Sequence, residues 1–202
     1  MNRLTTCLSA LCVAAAGMAS TAHAEALTPW TFQLGVHNVD PKSHNGNGVE
    51  VDSATGATFN VRYFLDSSFA VDLLAALPFG HDVSVEGAGE VAKVHHLPPT
   101  LSLTWHPLPV AKVKPFVSAG LNYTTFFDID EKGALSGTKL KLKDSWGPAA
   151  QAGVEFALGP HSAIVADLRW MDIDTKASVD GASIGTVHID PFAYGLSYVY
   201  RF

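Results

Sequence analysis

Two pairs of adjacent residues carry side chains that metal binding or hydrolysis would need. His95 and His96 offer imidazoles, but neighbours on an extended strand point to opposite faces and cannot share one ion without a bulge. His161 and Ser162 combine a base with a nucleophile, yet they diverge in the same way and no acid is suitably spaced to orient the histidine. The pattern therefore predicts no metal site, no other cofactor and no enzymatic activity.

The chain is acidic, with 19 Asp and Glu against 13 Lys and Arg among its 202 residues. Nucleic acid requires a basic surface, so this charge balance argues against a nucleic-acid partner. Many of the acids fall in Gly-rich stretches that we interpret as loops, where solvated charge explains them better than a calcium site does. They are Asp40, Glu50, Asp52, Asp82, Glu86, Glu90, Asp128, Asp130, Glu131, Asp174 and Asp180.

Residues 1–24 have the features of an export signal. A basic residue precedes an apolar, Ala-rich stretch, and the tripeptide Ala-His-Ala at 22–24 gives the small residues that signal peptidase recognises. We therefore predict cleavage near Ala24, with 25–202 as the mature domain. Both cysteines, Cys7 and Cys12, lie in the segment to be removed, so the mature chain would have no disulfide.

The elements that position the remaining polar residues are strands. After the signal, no stretch has the roughly 18 consecutive apolar residues of a spanning helix, and an exported chain without one spans a membrane only as a closed barrel. At the C-terminus, large apolar residues alternate with small or polar ones, as a half-buried strand requires. The large residues are Phe192, Tyr194, Leu196, Tyr198, Tyr200 and Phe202.

Similar alternation recurs along the mature chain, and the connections between the stretches are short and long in turn. This is typical of periplasmic turns and extracellular loops, so we predict an all-β fold, an eight-stranded antiparallel transmembrane β-barrel. The predicted strands are 30–39, 54–65, 68–77, 92–106, 113–127, 145–158, 161–173 and 187–202, and the long loops are 40–53, 78–91, 128–144 and 174–186. Histidines that we expect near the loop ends, where they could titrate at about pH 6.5, are His37, His44, His81 and His188.

Aromatic residues collect near both ends of the predicted strands, as in the two girdles of a barrel in lipid. The core of a soluble β-sandwich would also alternate, but it would not combine with an export signal and a terminal Phe. One girdle comprises Trp30, Tyr63, Trp105, Phe156, Tyr200 and Phe202, and the other comprises Phe79, Phe127, Trp146, Trp170 and Phe192.

Four longer motifs resemble the OmpW family of outer-membrane proteins, including its AlkL-like members. They are VHHLPPT at 94–100, GLNYTTFFD at 120–128, LKDSWG at 142–147 and WMDIDT at 170–175. Tyr200 and Phe202 likewise resemble the signal by which the barrel assembly machinery recognises such proteins. The resemblance implies residence among the lipids of a Gram-negative outer membrane and passage of small, hydrophobic solutes. An adhesive or structural barrel that acts through its loops is the alternative, and no oligomeric state follows.

Pro98 and Pro99 are the most informative pair, because neither can donate to a β-ladder. Two prolines together must interrupt the pairing of a barrel strand. We expect the interruption to face the strand at 69–77 and to form a lateral door from the lumen into the bilayer. A harmless break above the membrane plane is the alternative.

Alternation places a set of polar residues and one leucine inside the barrel. An eight-stranded barrel is only wide enough for side chains to fill, so these residues are either a satisfied polar core or a conduction path. In the first case Arg62, Arg169 and Arg201 would pair with acids, and in the second Leu74 near Arg169 would form a constriction. The candidate lumen residues are Arg62, Asp72, Leu74, Asn122, Gln151, Glu155, Asp167 and Arg169.

Overall fold

The computed structural model describes residues 28–42, 45 and 48–202. The predicted export signal lies outside these residues, so its removal stays a prediction. Fourteen strands occur in the described part of the chain: β1 (Trp30–Asp40), β2 (Val49–Val51), β3 (Ala54–Phe64), β4 (Phe69–Ala76), β5 (Phe79–Val85), β6 (Gly89–Leu97), β7 (Thr100–Trp105), β8 (Val113–Glu131), β9 (Leu140–Leu142), β10 (Ser145–Ala157), β11 (Ser162–Met171), β12 (Asp174–Val179), β13 (Ala182–His188) and β14 (Phe192–Arg201).

Eight of these strands form a closed wall. β1 pairs antiparallel with both β3 and β14, so that Phe32 lies opposite Val61 on one side and Tyr200 on the other. The wall continues from β3 through β4, β7, β8, β10 and β11 to β14, with every pair antiparallel. Closure removes the free sheet edges, which a membrane would leave without hydrogen-bond partners. The predicted eight-stranded barrel is confirmed.

Side-chain alternation on β14 separates the outside of the wall from the inside. Tyr194 and Tyr198 are 51% and 47% exposed, whereas Ala193 and Val199 are 3% and 2% exposed. The large side chains therefore face outward, because the interior of a narrow barrel has room only for small or closely packed groups. No helix in the described residues is long and apolar enough to cross a membrane.

Aromatic residues mark both ends of this outer apolar band. The rings of Trp30 and Tyr63 lie 4.7 Å apart at one end, and those of Tyr123 and Trp146 lie 4.7 Å apart at the other. The prediction that Phe79 belongs to a girdle is wrong, since Phe79 is only 3% exposed and packs inside the barrel. Inward residues are even-numbered on β4 and odd-numbered at the start of β5, so the alternation shifts by one residue between these strands.

The long connections predicted as loops are largely strands, which corrects the loop assignment. They contain β2, β5, β9, β12 and parts of β6, β8 and β13. Their polar and apolar residues alternate too, but glycines interrupt the pattern where hairpins turn, as at Gly87 and Gly181 with positive φ. β2, β5 and β6 belong to the same sheet as the wall, whereas β9, β12 and β13 form a separate three-stranded sheet beside it. We call these six strands, together with the last third of β8, the outer extension.

The predicted single strand at 92–106 is also wrong, because the structure divides it. β6 ends at Leu97 and β7 begins at Thr100, with Pro98 and Pro99 between them. Proline lacks the N–H that a ladder needs, so the division falls at the position where the sequence removes two donors.

Gly120 allows β8 to approach β7 closely, which generates a first prediction. A Cβ at this position would lie 2.1 Å from the carbonyl oxygen of Leu101. We expect Gly120→Ala to lower the free energy of unfolding by about 1–3 kcal/mol, because the backbone must shift to relieve the clash. Urea unfolding in lipid vesicles, followed by tryptophan fluorescence, measures the effect. Ala119→Val, on the exposed face of the same strand, is the control, and equal stability of both variants would contradict the close approach.

Candidate functional site

Arg62 and Asp72 form the centre of a polar network inside the barrel. β3 and β4 place them opposite each other, and Nε and Nη2 of Arg62 donate to the two carboxylate oxygens of Asp72 at 2.5 and 2.7 Å. Both are buried, with 1% and 3% exposure. The hydroxyl of Thr104 donates to the same carboxylate at 2.6 Å and lies 2.7 Å from the hydroxyl of Ser118. The bidentate geometry is the strong form of this ion pair.

Asp167 receives donors from three strands. Nε of Arg169 and Nε2 of Gln151 donate to Oδ2 of Asp167 at 2.6 and 2.9 Å. Nε2 of His37 lies 3.1 Å from the other carboxylate oxygen, and its Nδ1 lies 2.7 Å from the hydroxyl of Thr58. His37 lies near the end of β1, as predicted, but its side chain follows the inward alternation and is buried in the lumen. His44, which was also expected near a loop end, lies outside the described residues.

Glu155 completes the network near the periplasmic end. Nζ of Lys114 donates to Glu155 at 3.0 Å, and Nη2 of Arg201 lies 3.5 Å from the same oxygen. Each of the three lumen carboxylates therefore lies beside a cation, as burial of charge requires. We call this set of residues the charged plug: Arg62, Asp72, Glu155, Asp167 and Arg169.

Leu74 and Arg169, the expected constriction, line one small cavity next to the charged plug. Asn60, Asp72 and Met171 line the same cavity, whose volume is about 20 Å³. That volume holds about one water molecule. The cavity is therefore too small for an organic solute.

The wall is interrupted beside this cavity. The ladder between β4 and β7 ends at the pair Leu74 and Thr100, and the ladder between β5 and β6 begins at the pair Phe79 and His96. The residues between these pairs, 75–78 on one side and 97–99 on the other, belong to neither ladder. We call this interruption the proline gap, because Pro78, Pro98 and Pro99 all lie in it.

On its other edge, the proline segment stays attached to β8. The N–H of Tyr123 donates to the carbonyl of Pro99 at 2.9 Å, and Leu97 pairs with Thr125. From inside the barrel, Nδ2 of Asn122 lies 3.2 and 3.3 Å from the carbonyl oxygens of Pro98 and Pro99. Asn122 is completely buried, so the gap is one-sided and an amide holds its inner face.

An apolar cavity lies inside the outer extension, and we call it the outer vestibule. Its volume is about 90 Å³. An apolar wall with few polar groups is typical of sites that bind small molecules. Among the residues that line it are Val83, Val94, Phe126, Leu140, Ala177 and Ile189.

The floor of the outer vestibule connects it to the proline gap. Ile189 lines the vestibule and packs in one apolar cluster with Phe79 and Met171. Ala76 of the gap packs against this cluster. A continuous apolar surface therefore leads from the vestibule to the interruption in the wall.

The outer vestibule did not follow from the sequence, because much of its wall consists of strands that were predicted as loops. The signal that could have found it is valine at alternate positions of β2 and β5. Val49 and Val51 belong to β2, Val83 and Val85 belong to β5, and all four line the cavity. Apolar residues at every second position indicate a strand with one buried face.

His95 and His96 point to opposite faces, as predicted from their adjacency. His96 is buried beside Phe126, while His95 stacks on Phe127 at 6.4 Å on the outer side.

In the outer extension, Asp174, His188 and Asp190 bring three ligand atoms within 4.8 Å of one another. Their own hydrogen bonds and ion pair with Lys42 explain this cluster without a metal ion.

Comparison with known proteins places this barrel in a family. The OmpW family model matches residues 19–202. The chain belongs to the OmpW family. Outer membrane protein W of Escherichia coli (strain K12) is 40% identical over 167 residues, which cover 79% of this chain and 78% of that protein. Outer membrane protein AlkL of Ectopseudomonas oleovorans is 31% identical, covering 83% of this chain and 76% of that protein.

The fold agrees with a solved OmpW-type barrel. The crystal structure of the outer membrane protein OprG from Pseudomonas aeruginosa matches with a TM-score of 0.76 and 32% identity, covering 87% of this chain and 97% of that chain. The predicted location in the outer membrane is therefore confirmed. Membership in the OmpW family also supports a role in small-molecule transport.

In this OmpW-family barrel, the predicted assembly signal lies where the chain closes the wall. Tyr200 is exposed towards lipid, and its ring contacts that of Phe202 at 5.2 Å. The backbone carbonyl of Phe202 accepts hydrogen bonds from Thr28. Recognition of these two residues by the assembly machinery stays a prediction.

The charged plug generates a second prediction. Arg62→Met leaves the Asp72 carboxylate buried without its main partner, so we expect the free energy of unfolding to fall by about 3–5 kcal/mol. The double variant Arg62→Met with Asp72→Leu removes both charges and should recover most of this loss. Urea unfolding in lipid vesicles measures both changes.

Lys42→Ala supplies a control for this prediction, because Lys42 pairs with Asp190 at the surface and exposed pairs contribute only about 0–1 kcal/mol. A loss with Arg62→Met no larger than that with Lys42→Ala would mean that the plug is not a coupled buried network.

Proposed function

We propose that this barrel takes up small apolar molecules from outside the cell and releases them sideways into the outer membrane. The solute enters the outer vestibule, passes over its apolar floor and leaves through the proline gap. The observation that carries the proposal is the position of the gap, which lies between an apolar cavity and a charged plug.

Release along the barrel axis is unfavourable for such a solute. Below the vestibule, the lumen narrows to the cavity of about 20 Å³ beside Leu74 and Arg169. An apolar molecule that moved further would have to separate buried ion pairs, which are costly to break once desolvated. The charged plug therefore favours an exit above it.

Release through the wall is favourable, because the hydrocarbon outside removes the solute from water. The lipid-facing residues nearest the gap are apolar, and Leu77 and Leu101 are 52% and 54% exposed. Transfer of apolar surface out of water contributes about 25 cal/mol per Å². On the outer side of the gap, the solute therefore meets only apolar side chains and hydrocarbon.

Asn122 ties the proline segment to β8 in this proposal. Its side chain holds the carbonyl groups of Pro98 and Pro99 from inside, and its Oδ1 accepts a hydrogen bond from Thr124 at 2.7 Å. Movement of the proline segment away from β4 leaves these contacts on β8 intact, since Asn122 and Thr124 both belong to β8. The segment moves with β8 as one edge of the door.

The proline gap generates the third prediction. Because the Pro99 carbonyl accepts from Tyr123 on β8, alternation turns the backbone of Pro98 towards β4 and β5. In the double variant Pro98→Ala with Pro99→Ala, the new backbone N–H at position 98 points towards β4 and β5 and closes the ladder. One added hydrogen bond stabilises the closed wall by about 1 kcal/mol, so we expect initial naphthalene uptake by cells to fall roughly fivefold.

The experiment compares wild type, the double variant, Pro148→Ala and cells without the barrel, at equal outer-membrane abundance. Pro148 is exposed on β10 and pairs with Leu121 of β8, away from the gap, so its replacement should leave uptake unchanged. Glycerol uptake reports any general leak. Equal naphthalene uptake in wild type and the double variant would contradict lateral release. If neither solute responds to the barrel, transport itself is refuted and adhesion through the outer extension becomes the better explanation.

We also propose that residues 1–24 are removed during export, which leaves 25–202 as the mature barrel. The support is the Ala-His-Ala tripeptide that follows an apolar stretch. The intact mass of the protein extracted from outer membranes tests this directly. A mass that includes residues 1–24 would contradict cleavage.

A further inference from the structure

Two buried imidazoles face each other in the wall of the outer vestibule. His81 on β5 and His96 on β6 stack with ring centroids 4.8 Å apart and an interplanar angle of 9°, and both line the cavity. Each is only 3% exposed. Nε2 of each ring is enclosed and has no hydrogen-bond partner among the described residues. Buried polar atoms are normally paired, so two unpaired nitrogens at one cavity require an explanation.

The backbone fixes the tautomer of His81. Its Nδ1 lies 2.5 Å from the carbonyl oxygen of Asp52, and a carbonyl only accepts, so Nδ1 carries the proton and donates. In a neutral imidazole the other nitrogen then has a free lone pair. Nε2 of His81 is therefore a buried hydrogen-bond acceptor in the wall of a mostly apolar cavity.

Both rings stay neutral near physiological pH. Burial lowers the pKa of His96 to about 3, and the neighbouring His81 adds to this effect. Burial also lowers the pKa of His81, although its hydrogen bond to Asp52 opposes the shift. These rings lie in the outer extension, beyond the lipid-facing band, and present neutral polar atoms rather than positive charge.

We propose that the outer vestibule selects apolar molecules that carry a hydroxyl group, namely phenols and long-chain alcohols, through a hydrogen bond to Nε2 of His81. The inference deepens the proposed function and rests on it, because it names the class of solute that enters the gap.

The surroundings fit a donor attached to an apolar body. The hydroxyl O–H donates to Nε2 of His81, and the ring of His96 stacks on that of His81 from the adjacent strand. The rings of Phe79 and Phe126, at 5.7 and 6.1 Å from that of His96, cover the apolar part. A pure hydrocarbon fills the same space but leaves the nitrogens unpaired, and such mismatches lower affinity.

The test compares two solutes that differ by one hydroxyl group. Binding of 2-naphthol and of naphthalene is measured on the purified full barrel in lipid nanodiscs by equilibrium partition against empty nanodiscs. Wild type should prefer 2-naphthol by about threefold to tenfold, which is the contribution of one hydrogen bond. His81→Phe should abolish this preference and leave naphthalene binding unchanged or stronger.

His95→Phe is the matched control, since His95 lies on the outer face of the same hairpin, and it should keep the preference. A second measurement does not depend on folding of a variant: the ¹⁵N resonance of His81 Nε2 in wild type should shift with 2-naphthol and not with naphthalene.

Equal affinity of wild type for both solutes, with no such resonance shift, would overturn hydroxyl recognition. If naphthalene uptake nevertheless depends on Pro98 and Pro99, the proposed function stands while this inference fails. If the barrel neither binds nor takes up either solute, both are overturned.

Discussion

A strand wall in lipid must pair its backbone N–H and C=O groups within the protein, and the rest of the structure depends on this requirement. The pairing of β1 with β14 satisfies it by closing the sheet. The proline gap departs from it, since Pro98 and Pro99 supply no donors. Asn122 stabilises the interrupted segment from inside, because its Nδ2 donates to both proline carbonyls. The wall is therefore weakest at a defined place, next to the floor of an apolar cavity.

Closure by eight strands also limits what can pass through the lumen. Eight strands enclose too little space for an aqueous channel, and the charges inside are paired with one another, as Arg62 with Asp72 and Arg169 with Asp167. Such a plug separates the outer vestibule from the periplasmic end. The strands of the outer extension enclose the apolar outer vestibule, so apolar space lies above the plug. In the proposed function, the vestibule, the gap and the plug together direct an apolar solute into the bilayer.

The sequence predicted the wall well, because alternation directly reports which face of a strand is buried. It placed Arg62, Asp72 and Asp167 inside and found the break at the prolines. It failed where a single residue shifts the alternation, as before Phe79, and where glycines interrupt short strands, as in the outer extension. The stack of His81 on His96 depends on the register between β5 and β6, which shifts at a bulge between Val83 and Ser84. Alternation within each strand does not contain that register.

The central claim is that an apolar solute leaves above the charged plug and through the wall. Paramagnetic relaxation in lipid bilayers, with a nitroxide attached to an apolar solute, tests it most directly. The account predicts broadening of amide signals around Phe79, Ile189 and Leu97, while Phe64 and His106 at the periplasmic end keep sharp signals. Broadening that continues past Arg62 to Phe64 and His106, with Leu97 unaffected, would show an axial path and contradict the account.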